Sequence, residues 1–217
     1  MLPLALIEPQ EDALEVLCLG AHCDDIEIGC GGTVLRLVEE FPNARFHWVV
    51  LSSNDDRAGE AQAAADHFLA AAGKRDVRIE RFRESYFPWV GADIKDYFEG
   101  LKADVDPDLI LTHHRHDRHQ DHRLVAEVTW NTWRDHLILE YEIPKYDGDL
   151  GAPNVFVTLD EATAQRKVDG IIDHFPSQRR RAWFDADTFR SLLRLRGMEA
   201  NARSRYAEGF YGSKVVL

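Results

Sequence analysis

The chain has 217 residues, of which 45% are hydrophobic and 29% are charged, and this favours one globular domain over residues 1–217 with a sizeable core. The formal net charge of −12 and the isoelectric point near 5.2 argue against a surface for nucleic acid or anionic membrane. No apolar run approaches the ~20 residues of a membrane-spanning helix, which argues against an integral membrane protein.

Cysteine usage and the N-terminal stretch together predict a cytoplasmic protein. Cys18, Cys23 and Cys30 fall close together, and their odd number leaves at least one unpaired within the chain. Such clustering suits a reducing compartment better than a disulfide scaffold. Residues 1–12 carry acidic side chains and lack the basic flank and apolar stretch of a signal peptide.

The hydrophobic pattern predicts alternating strands and helices in the first two thirds of the chain. Strands are expected over 13–19, 45–51, 77–82, 108–112 and 137–143, and helices over 29–40, 59–72, 94–105 and 121–133. The last third is less regular, with a strand over 154–159, helices over 160–174 and from Asp185 or Asp187 to about Gly197, and a last strand over 214–217. This alternation favours an α/β fold, with a mostly parallel sheet covered by helices on both faces.

Polar side chains crowd together where the first predicted strand ends. Residues 20–27 read Gly-Ala-His-Cys-Asp-Asp-Ile-Glu, and ligands of α/β folds bind just beyond the carboxyl ends of strands. Because His22 and Asp25 are three residues apart in a tight turn, both side chains can converge on one cation. Asp24 lies between them and is free for another role. Taken alone, these residues would serve equally well to cap the helix that follows.

A second polar cluster follows the strand predicted over 108–112. Five of the ten histidines fall within residues 112–122. Because the carboxyl ends of parallel strands share one edge of a sheet, the two clusters can meet there. Two histidines and one aspartate, with a fourth position left open, form the pattern of a catalytic rather than a structural zinc site.

The two clusters resemble the motifs of the LmbE-like, PIG-L type N-acetylglucosaminyl deacetylases. Residues 21–27 are similar to the family's Ala-His-Pro-Asp-Asp-x-Glu, and residues 117–122 (Asp-Arg-His-Gln-Asp-His) are similar to its Asp-x-His-Pro-Asp-His. Weaker similarities at 57–60, 174–178 and 206–210 extend the resemblance over nearly the whole chain. The resemblance implies a Rossmann-like fold and zinc-dependent hydrolysis of an N-acetyl group from a sugar.

The resemblance also implies a role for individual residues of the two motifs and of the stretch at 57–60. The implied residues are the zinc ligands His22, Asp25 and His122, the catalytic residues Asp24, His119 and Asp121, and the substrate-binding Arg57. Asp24 would be the general base. His119 would polarise the amide carbonyl or protonate the leaving amine, and Asp121 would orient His119.

Two positions depart from the family motifs. Cys23 and Gln120 stand where the family has proline, so each loop loses a restraint on φ. Neither position is an implied ligand, and we expect the chemistry to survive. Since a thiolate is a good zinc ligand, Cys23 is a rival for the metal, although its neighbours already supply a complete set.

Amide hydrolysis needs these groups independently of the family. An amide carbonyl is a poor electrophile and water a poor nucleophile, and zinc addresses both. Asp24, next to the ligand Asp25, can take a proton from the attacking water. A histidine held protonated by Asp121 would stabilise the oxyanion. The spacing leaves open whether Asp24 or His119 protonates the leaving amine.

Other polar residues have simpler interpretations. Glu27 is expected to hold the turn or the helix N-terminus, and Asp117 to hold its loop. The remaining histidines of the second cluster are expected to support ligands, face substrate or be solvated, and the arginine run to form a solvated face or to bind a substrate phosphate. These are His113, His114 and His116, and Arg179, Arg180 and Arg181.

The sequence therefore predicts a zinc-dependent N-deacetylase that acts on a small N-acetylated amino sugar or a conjugate of one, with a nucleotide- or phosphate-bearing form left open. One alternative is a zinc amidohydrolase for another amide, such as a larger acyl group or a sugar–amino acid conjugate. Another is a non-catalytic metal-binding protein. Neither nucleic acid nor membrane is an expected partner, and the number of subunits stays open, a homo-oligomer included.

Overall fold

Strands and helices alternate through residues 13–215, the part of the chain that the computed structural model describes. The strands are β1 (Glu15–Gly20), β2 (Arg45–Val50), β3 (Lys74–Ile79), β4 (Leu109–His113), β5 (Leu137–Tyr141), β6 (Val155–Leu159) and β7 (Tyr206–Gly212). The α-helices are α1 (Asp25–Glu40), α2 (Asp55–Phe68), α3 (Gly91–Asp104), α4 (Gln120–Thr132), α5 (Glu161–His174) and α6 (Ala186–Glu199). Short 3₁₀ helices span Phe87–Trp89 and Pro176–Gln178.

The seven strands form one sheet in the order β3-β2-β1-β4-β5-β7-β6. The first five pair in parallel, whereas β7 pairs antiparallel with both β5 and β6. The predicted α/β fold with a mostly parallel, Rossmann-like sheet is therefore confirmed. The strand order reverses between β1 and β4, and in such sheets a crevice opens at that point beyond the carboxyl ends of the strands.

Helices cover both faces of the sheet because the strands are apolar on both sides. One face packs against α1, α2, α5 and α6 through residues such as Val34, Phe68, Ile171 and Phe189. The other packs against α3 and α4 through residues such as Phe98, Leu101 and Val125. No helix within residues 13–215 is long and apolar enough to cross a membrane.

The first two helices each begin four residues earlier than predicted, and this matters for the site. Helix α1 begins at Asp25 rather than at residue 29, so Asp25 lies in its first turn. Gly29 lies inside α1, where a Cβ atom would come within 2.1 Å of the Tyr141 ring. The glycine-rich stretch therefore permits close packing and does not mark a boundary. Helix α2 begins at Asp55 rather than at residue 59, because the Asn54 side chain caps it.

Two predicted strands lie elsewhere. The third is Lys74–Ile79 rather than 77–82, because its charged start pairs with β2 at an edge of the sheet. The strand predicted over 214–217 is wrong for residues 214 and 215, which are not in a strand. Residues 216–217 lie outside the described residues, as do residues 1–12 with their predicted lack of a signal peptide. The last strand is instead Tyr206–Gly212.

Candidate active site

The two polar clusters meet because β1 and β4 are neighbours. The strands pair in parallel from Val16↔Leu109 to Cys18↔Leu111, so the turn after β1 and the loop after β4 leave the same edge of the sheet. His22 lies in that turn, and His122 lies in the first turn of α4.

Three side chains converge at this edge. Nδ1 of His22 lies 3.2 Å from Nε2 of His122 and 3.3 Å from Oδ2 of Asp25. Nε2 of His122 lies 3.6 Å from Oδ1 of Asp25. All three residues are at least nine-tenths buried. The structure thus brings together the three residues that the sequence predicts as metal ligands.

Each of these histidines is held by a carboxylate on its other ring nitrogen. Nδ1 of His122 donates to Asp117 Oδ2 at 2.9 Å, and Nε2 of His22 lies 3.2 Å from Asp121 Oδ2. Both rings therefore direct an acceptor nitrogen towards the centre of the cluster. Two acceptor nitrogens so close together need a positive charge between them, which is either a shared proton or a metal ion.

The carboxylates around the cluster favour a positive charge within it. Burial disfavours the charged form of His22, but Asp25 and Asp121 outweigh it and raise the pKa of His22 to about 10. Burial, helped by His113, lowers the pKa of His122 to about 3. Without a metal, one proton on His22 satisfies the pair, and a metal ion would compete with that proton.

The arrangement fits a metal ion of the zinc type. Ligand atoms around tetrahedral zinc are about 3.3 Å from one another, close to the 3.2 Å between the two histidine nitrogens. The two histidines contact different oxygens of Asp25, His22 at 3.3 Å from Oδ2 and His122 at 3.6 Å from Oδ1. Two imidazoles and one carboxylate are also the donor set of many catalytic zinc sites. His22, Asp25 and His122 are residues that could hold such an ion.

Two other histidines, His119 and His113, lie close enough to share an ion, and one nitrogen of each is already engaged. In the described residues, the candidate groups are His22–His119–His122 and Asp25–His113–His122. Nδ1 of His119 accepts from the Asp121 N–H at 3.2 Å. Nε2 of His113 lies 3.0 Å from the Ala21 N–H and 3.1 Å from Asp25 Oδ2. Each group contains two of the three residues that the sequence predicts as ligands, and His122 belongs to both.

His113 contacts Asp25, so of the three roles that the sequence left open for it, the structure favours support of a ligand. It is the last residue of β4, it is fully buried, and its ring stacks on His122 with centroids 4.0 Å apart. The contact between His113 Nε2 and Asp25 Oδ2 helps to hold the Asp25 carboxylate in position. The position of His113 at the end of an apolar strand indicates a buried side chain. The sequence alone does not show which of the five histidines in this stretch are buried.

Asp24 and Arg57 form a buried ion pair beside the cluster. Nη2 of Arg57 donates to Asp24 Oδ1 at 2.8 Å. Burial raises the pKa of Asp24, and Arg57 offsets part of that effect. Asp24 occupies the N-cap position of α1, but its side chain makes no capping hydrogen bond. The structure thus places Arg57 against the predicted general base, a contact that the sequence did not reveal.

The contacts of Asp121 differ from the expectation that it orients His119. Its carboxylate accepts from the backbone N–H groups of Ser85 at 2.6 Å and Phe87 at 3.1 Å, and it contacts His22. The His119 side chain accepts from the backbone N–H of Asp121 through Nδ1, because it caps α4, while the His119 backbone N–H donates to Asp117 Oδ1 at 2.7 Å. Burial and the nearby His22 lower the pKa of His119, so its Nε2–H is a neutral donor.

The two non-proline positions have separate contacts. The Cys23 sulfur donates to the Ser52 carbonyl at 3.4 Å, and burial raises the pKa of its thiol to about 12. Cys23 is in neither group that could share an ion, which argues against it as a ligand. Gln120 donates to the Ser85 carbonyl, and so fastens the neighbouring loop.

The remaining candidates divide between structural contacts and solvent. Glu27 is fully buried, and neither carboxylate oxygen has a partner in the described residues. Nδ1 of His114 lies 2.7 Å from Glu140 Oε2, and His116 is exposed. Ser177 donates to the Glu60 carboxylate through its N–H and its hydroxyl, so the stretches at 57–60 and 174–178 are in contact. Residues 179–181 are exposed, as a solvated face would be.

Comparison with known families shows which family this chain belongs to. The family model PIG-L, described as GlcNAc-PI de-N-acetylase, matches residues 17–133, more than half of the chain and both polar clusters. The chain belongs to the PIG-L family. It is 28% identical over 186 residues to the uncharacterized deacetylase YaiS of Escherichia coli (strain K12), covering 80% of this chain and 97% of that protein. This PIG-L family member is therefore an enzyme of the deacetylase class.

Solved structures share the fold of this PIG-L family member. The N,N′-diacetylchitobiose deacetylase of Pyrococcus horikoshii matches with a TM-score of 0.67 at 20% identity, covering 96% of this chain and 87% of that one. The 4-carboxy-2-hydroxymuconate hydratase GalB of Pseudomonas putida matches with a TM-score of 0.73 at 18% identity, covering 94% of this chain and 98% of that one. Because the fold carries both a deacetylase and a hydratase, function must be argued from the site.

Proposed function

We propose that this chain is a zinc-dependent hydrolase that removes the N-acetyl group from an N-acetylated amino sugar or a conjugate of one. The observation that carries the proposal is the pair of carboxylate-held histidines, His22 and His122, whose other ring nitrogens lie 3.2 Å apart and both face Asp25. The description of the family as a GlcNAc-PI de-N-acetylase and the diacetylchitobiose deacetylase among its structural neighbours support a sugar substrate.

Zinc, when bound, supplies a Lewis acid that polarises the amide carbonyl and makes water a better nucleophile at neutral pH. The protein's own part begins with Asp24. Its carboxylate, held by Arg57 at 2.8 Å, takes one proton as the water oxygen bonds to the acetyl carbon. Burial raises the pKa of Asp24, and this makes it a better proton acceptor than an exposed aspartate.

His119 stabilises the oxyanion as a neutral donor. Because its Nδ1 accepts from the Asp121 N–H, its Nε2 carries the hydrogen and donates to the developing oxyanion. Its lowered pKa makes it a poor source of a whole proton. Asp24 therefore returns the proton it took to the amine nitrogen as the C–N bond breaks, and the products are acetate and the free amino sugar.

A panel of acylated amines tests the proposal directly. The protein is loaded with zinc and incubated with N-acetylated sugars, their nucleotide and phosphate conjugates, and analogues with longer acyl groups, and mass spectrometry then records loss of the acyl mass. We expect loss of acetyl from at least one amino sugar, and no loss with the Asp24→Asn variant. Loss of only a longer acyl group would favour the other amidohydrolase. Full zinc binding without hydrolysis of any amide would favour a non-catalytic metal protein.

The setting we propose for this activity is the cytoplasm, with a small molecule as partner. Cys18, Cys23 and Cys30 are all buried and none forms a disulfide, which supports a reducing compartment.

A further inference from the structure

The loop that follows β5, residues 142–154, is anchored near both of its ends. Arg196 on α6 donates from Nε and Nη2 to the Glu142 carboxylate, at 2.8 Å in each case, and from Nη2 to the Gly151 carbonyl at 3.1 Å. Tyr211 on β7 donates its hydroxyl to the same carboxylate at 3.1 Å. Both Arg196 and Glu142 are buried. The loop is therefore tied firmly to α6 and β7.

Lys145 is the residue of this loop that reaches the candidate site. Its Nζ donates to Asp117 Oδ2 and to Asp149 Oδ1, both at 2.8 Å, and to the Ile143 carbonyl at 3.3 Å. The side chain is only 10% exposed. Because these three contacts account for all three ammonium hydrogens, the role of Lys145 lies within the protein rather than in binding a substrate anion.

The Asp117 carboxylate joins Lys145 to two functional residues of the second polar cluster. Its Oδ2, which accepts from Lys145, also accepts from Nδ1 of His122 at 2.9 Å. Its Oδ1 accepts from the backbone N–H of His119 at 2.7 Å. A displacement of this carboxylate would therefore affect both a proposed metal ligand and the proposed oxyanion donor.

Lys145 also separates two like charges. The carboxylates of Asp117 and Asp149 face each other across its single ammonium group, and their side chains are 3% and 7% exposed. Without the lysine, two poorly solvated carboxylates this close together would repel each other. The ammonium group balances both charges, so that Asp117 can remain against His122.

We propose that Lys145 is a positioning residue of the metal site, which holds the Asp117 carboxylate against the His122 ring and the His119 backbone. Lys145 lies beyond residues 17–133, the part of the chain that the family model matches, so the loop adds a support that the two polar clusters do not contain. This inference deepens the proposed function and rests on it, because the position of His122 matters for turnover only if His122 binds the metal ion.

Zinc affinity distinguishes this role from a simple effect of charge. Lys145→Met removes a cation from the neighbourhood of the proposed metal ion, and charge alone would therefore tighten zinc binding. We expect the opposite, a loss of about 10-fold, the lower end of the effect of removing the support of a histidine ligand. Competition with a chromophoric chelator measures the change.

Asp149→Ala is the matched control for Lys145→Met. It loosens the same loop, because Asp149 also accepts from the Arg118 N–H at 2.7 Å, but it leaves Lys145 in contact with Asp117. Its loss of zinc affinity should therefore be smaller than that of Lys145→Met, whereas charge alone predicts the reverse order. Unchanged or tighter zinc binding in Lys145→Met, or a greater loss in Asp149→Ala, would overturn the proposal.

A double variant tests the route through Asp117. Because the effect of Lys145 passes through that carboxylate, Lys145→Met should cause no further loss of zinc affinity when it is combined with Asp117→Ala. A second loss of the same size would refute this route. Lys145→Gln, which keeps N–H donors without the charge, replaces Lys145→Met in these measurements if circular dichroism shows that Lys145→Met is unfolded.

Proton NMR of the metal-free protein separates this proposal from the proposed function. The Nδ1–H of His122, identified by its absence in His122→Ala, should exchange with water faster in Lys145→Met than in the unaltered protein, and Asp149→Ala should resemble the unaltered protein. This result would support the positioning role even if no acetylated sugar were hydrolysed. Hydrolysis of acetylated sugars, with equal exchange in Lys145→Met and the unaltered protein, would leave the function standing and refute the positioning role.

Discussion

Oδ2 of Asp117 accepts a hydrogen bond from Nδ1 of His122 at 2.9 Å. The same oxygen accepts from Lys145 Nζ at 2.8 Å. Burial opposes ionisation of Asp117, but His122 and Lys145 outweigh it and hold the pKa of its carboxyl below the usual range. An ionised Asp117 fixes the tautomer of His122 and keeps its Nε2 free for a metal.

We expect Asp117→Ala to weaken zinc binding by about 10-fold to 100-fold, the effect typical of losing a carboxylate that supports a histidine ligand. Competition with a chromophoric chelator measures the change. Asp117→Asn should lose less, because its amide oxygen can still accept from His122. Asp173→Ala, an exposed position on α5, is the matched control. Unchanged zinc affinity in Asp117→Ala would mean that His122 is not a ligand or does not need this support.

The adjacent aspartates of the first motif should separate metal binding from catalysis. Asp25 contacts both histidines of the cluster, whereas Asp24 faces Arg57. Asp24→Asn should therefore keep its zinc and lose about 100-fold or more in kcat, the scale of general acid–base catalysis. Asp25→Asn should lose zinc. Zinc content and kcat measured on both variants give the answer, and the reverse pattern would mean that the two roles are exchanged.

The sheet and the meeting of the two motifs could be predicted from sequence because they depend on short-range patterns. The apolar runs of β1 and β4 end directly before the polar clusters, and parallel strands place those ends at one edge. The start of α1 was misplaced because Gly29 suggests a boundary. Only the packing of Tyr141 against Gly29 shows why glycine is required inside the helix.

The partners of individual polar side chains could not be predicted. The contact of Arg57 with Asp24 joins residues 33 positions apart, and that of Asp121 with Ser85 joins residues 36 apart. Neither pair has a local sequence signal, because each contact depends on where a long loop leaves the sheet. The expected bond between the Asp121 carboxylate and His119 was the natural choice from spacing alone, and the loop that supplies its actual partners carries no motif.

Loss of the Asp121 carboxylate should free the loop of residues 80–90. Since Ser85 and Phe87 donate their N–H groups to it, Asp121→Ala should speed amide hydrogen exchange in residues 80–90. Mass spectrometry of exchanged peptides measures this. The loop of residues 142–154 should be unaffected in that variant, and should exchange faster in Asp117→Ala, which loses the contact with Lys145. Unchanged exchange in residues 80–90 would refute this anchoring role.

Removal of Arg57 should impair turnover through Asp24. Arg57→Ala takes away the group that holds the proposed base, and a base displaced by about 1 Å can cost up to about 100-fold in rate. We therefore expect a fall in kcat of about 10-fold to 100-fold with normal zinc content, in addition to any rise in KM from lost substrate contacts. Steady-state kinetics distinguish the two effects. A raised KM with unchanged kcat would show that Arg57 serves the substrate and not Asp24.

The buried pair Lys167–Glu208 should contribute to stability rather than to catalysis. Both side chains are 3% exposed, and together they tie α1 to α5 and β7. Lys167 Nζ donates to the Ile28 carbonyl at 2.7 Å, and Glu208 accepts from the Gly32 N–H at 2.8 Å. These two backbone groups lie one turn apart in α1. Glu208 also accepts from the Thr33 N–H and hydroxyl.

Substitution of Glu208 and substitution of Lys167 should lower the free energy of unfolding by different amounts. Glu208→Ala leaves a buried lysine with only the Ile28 carbonyl, so we expect the free energy of unfolding to fall by about 3–5 kcal/mol. Lys167→Met leaves Glu208 with its donors in α1, and the loss should be smaller, about 1–3 kcal/mol. Lys95→Met, which removes a partly exposed pair with Glu99 on α3 and a hydrogen bond to the Thr132 hydroxyl, should cost about 1 kcal/mol. Urea unfolding measures all three. Equal losses for Glu208→Ala and Lys95→Met would show that burial of the Lys167–Glu208 pair is not what stabilises this contact.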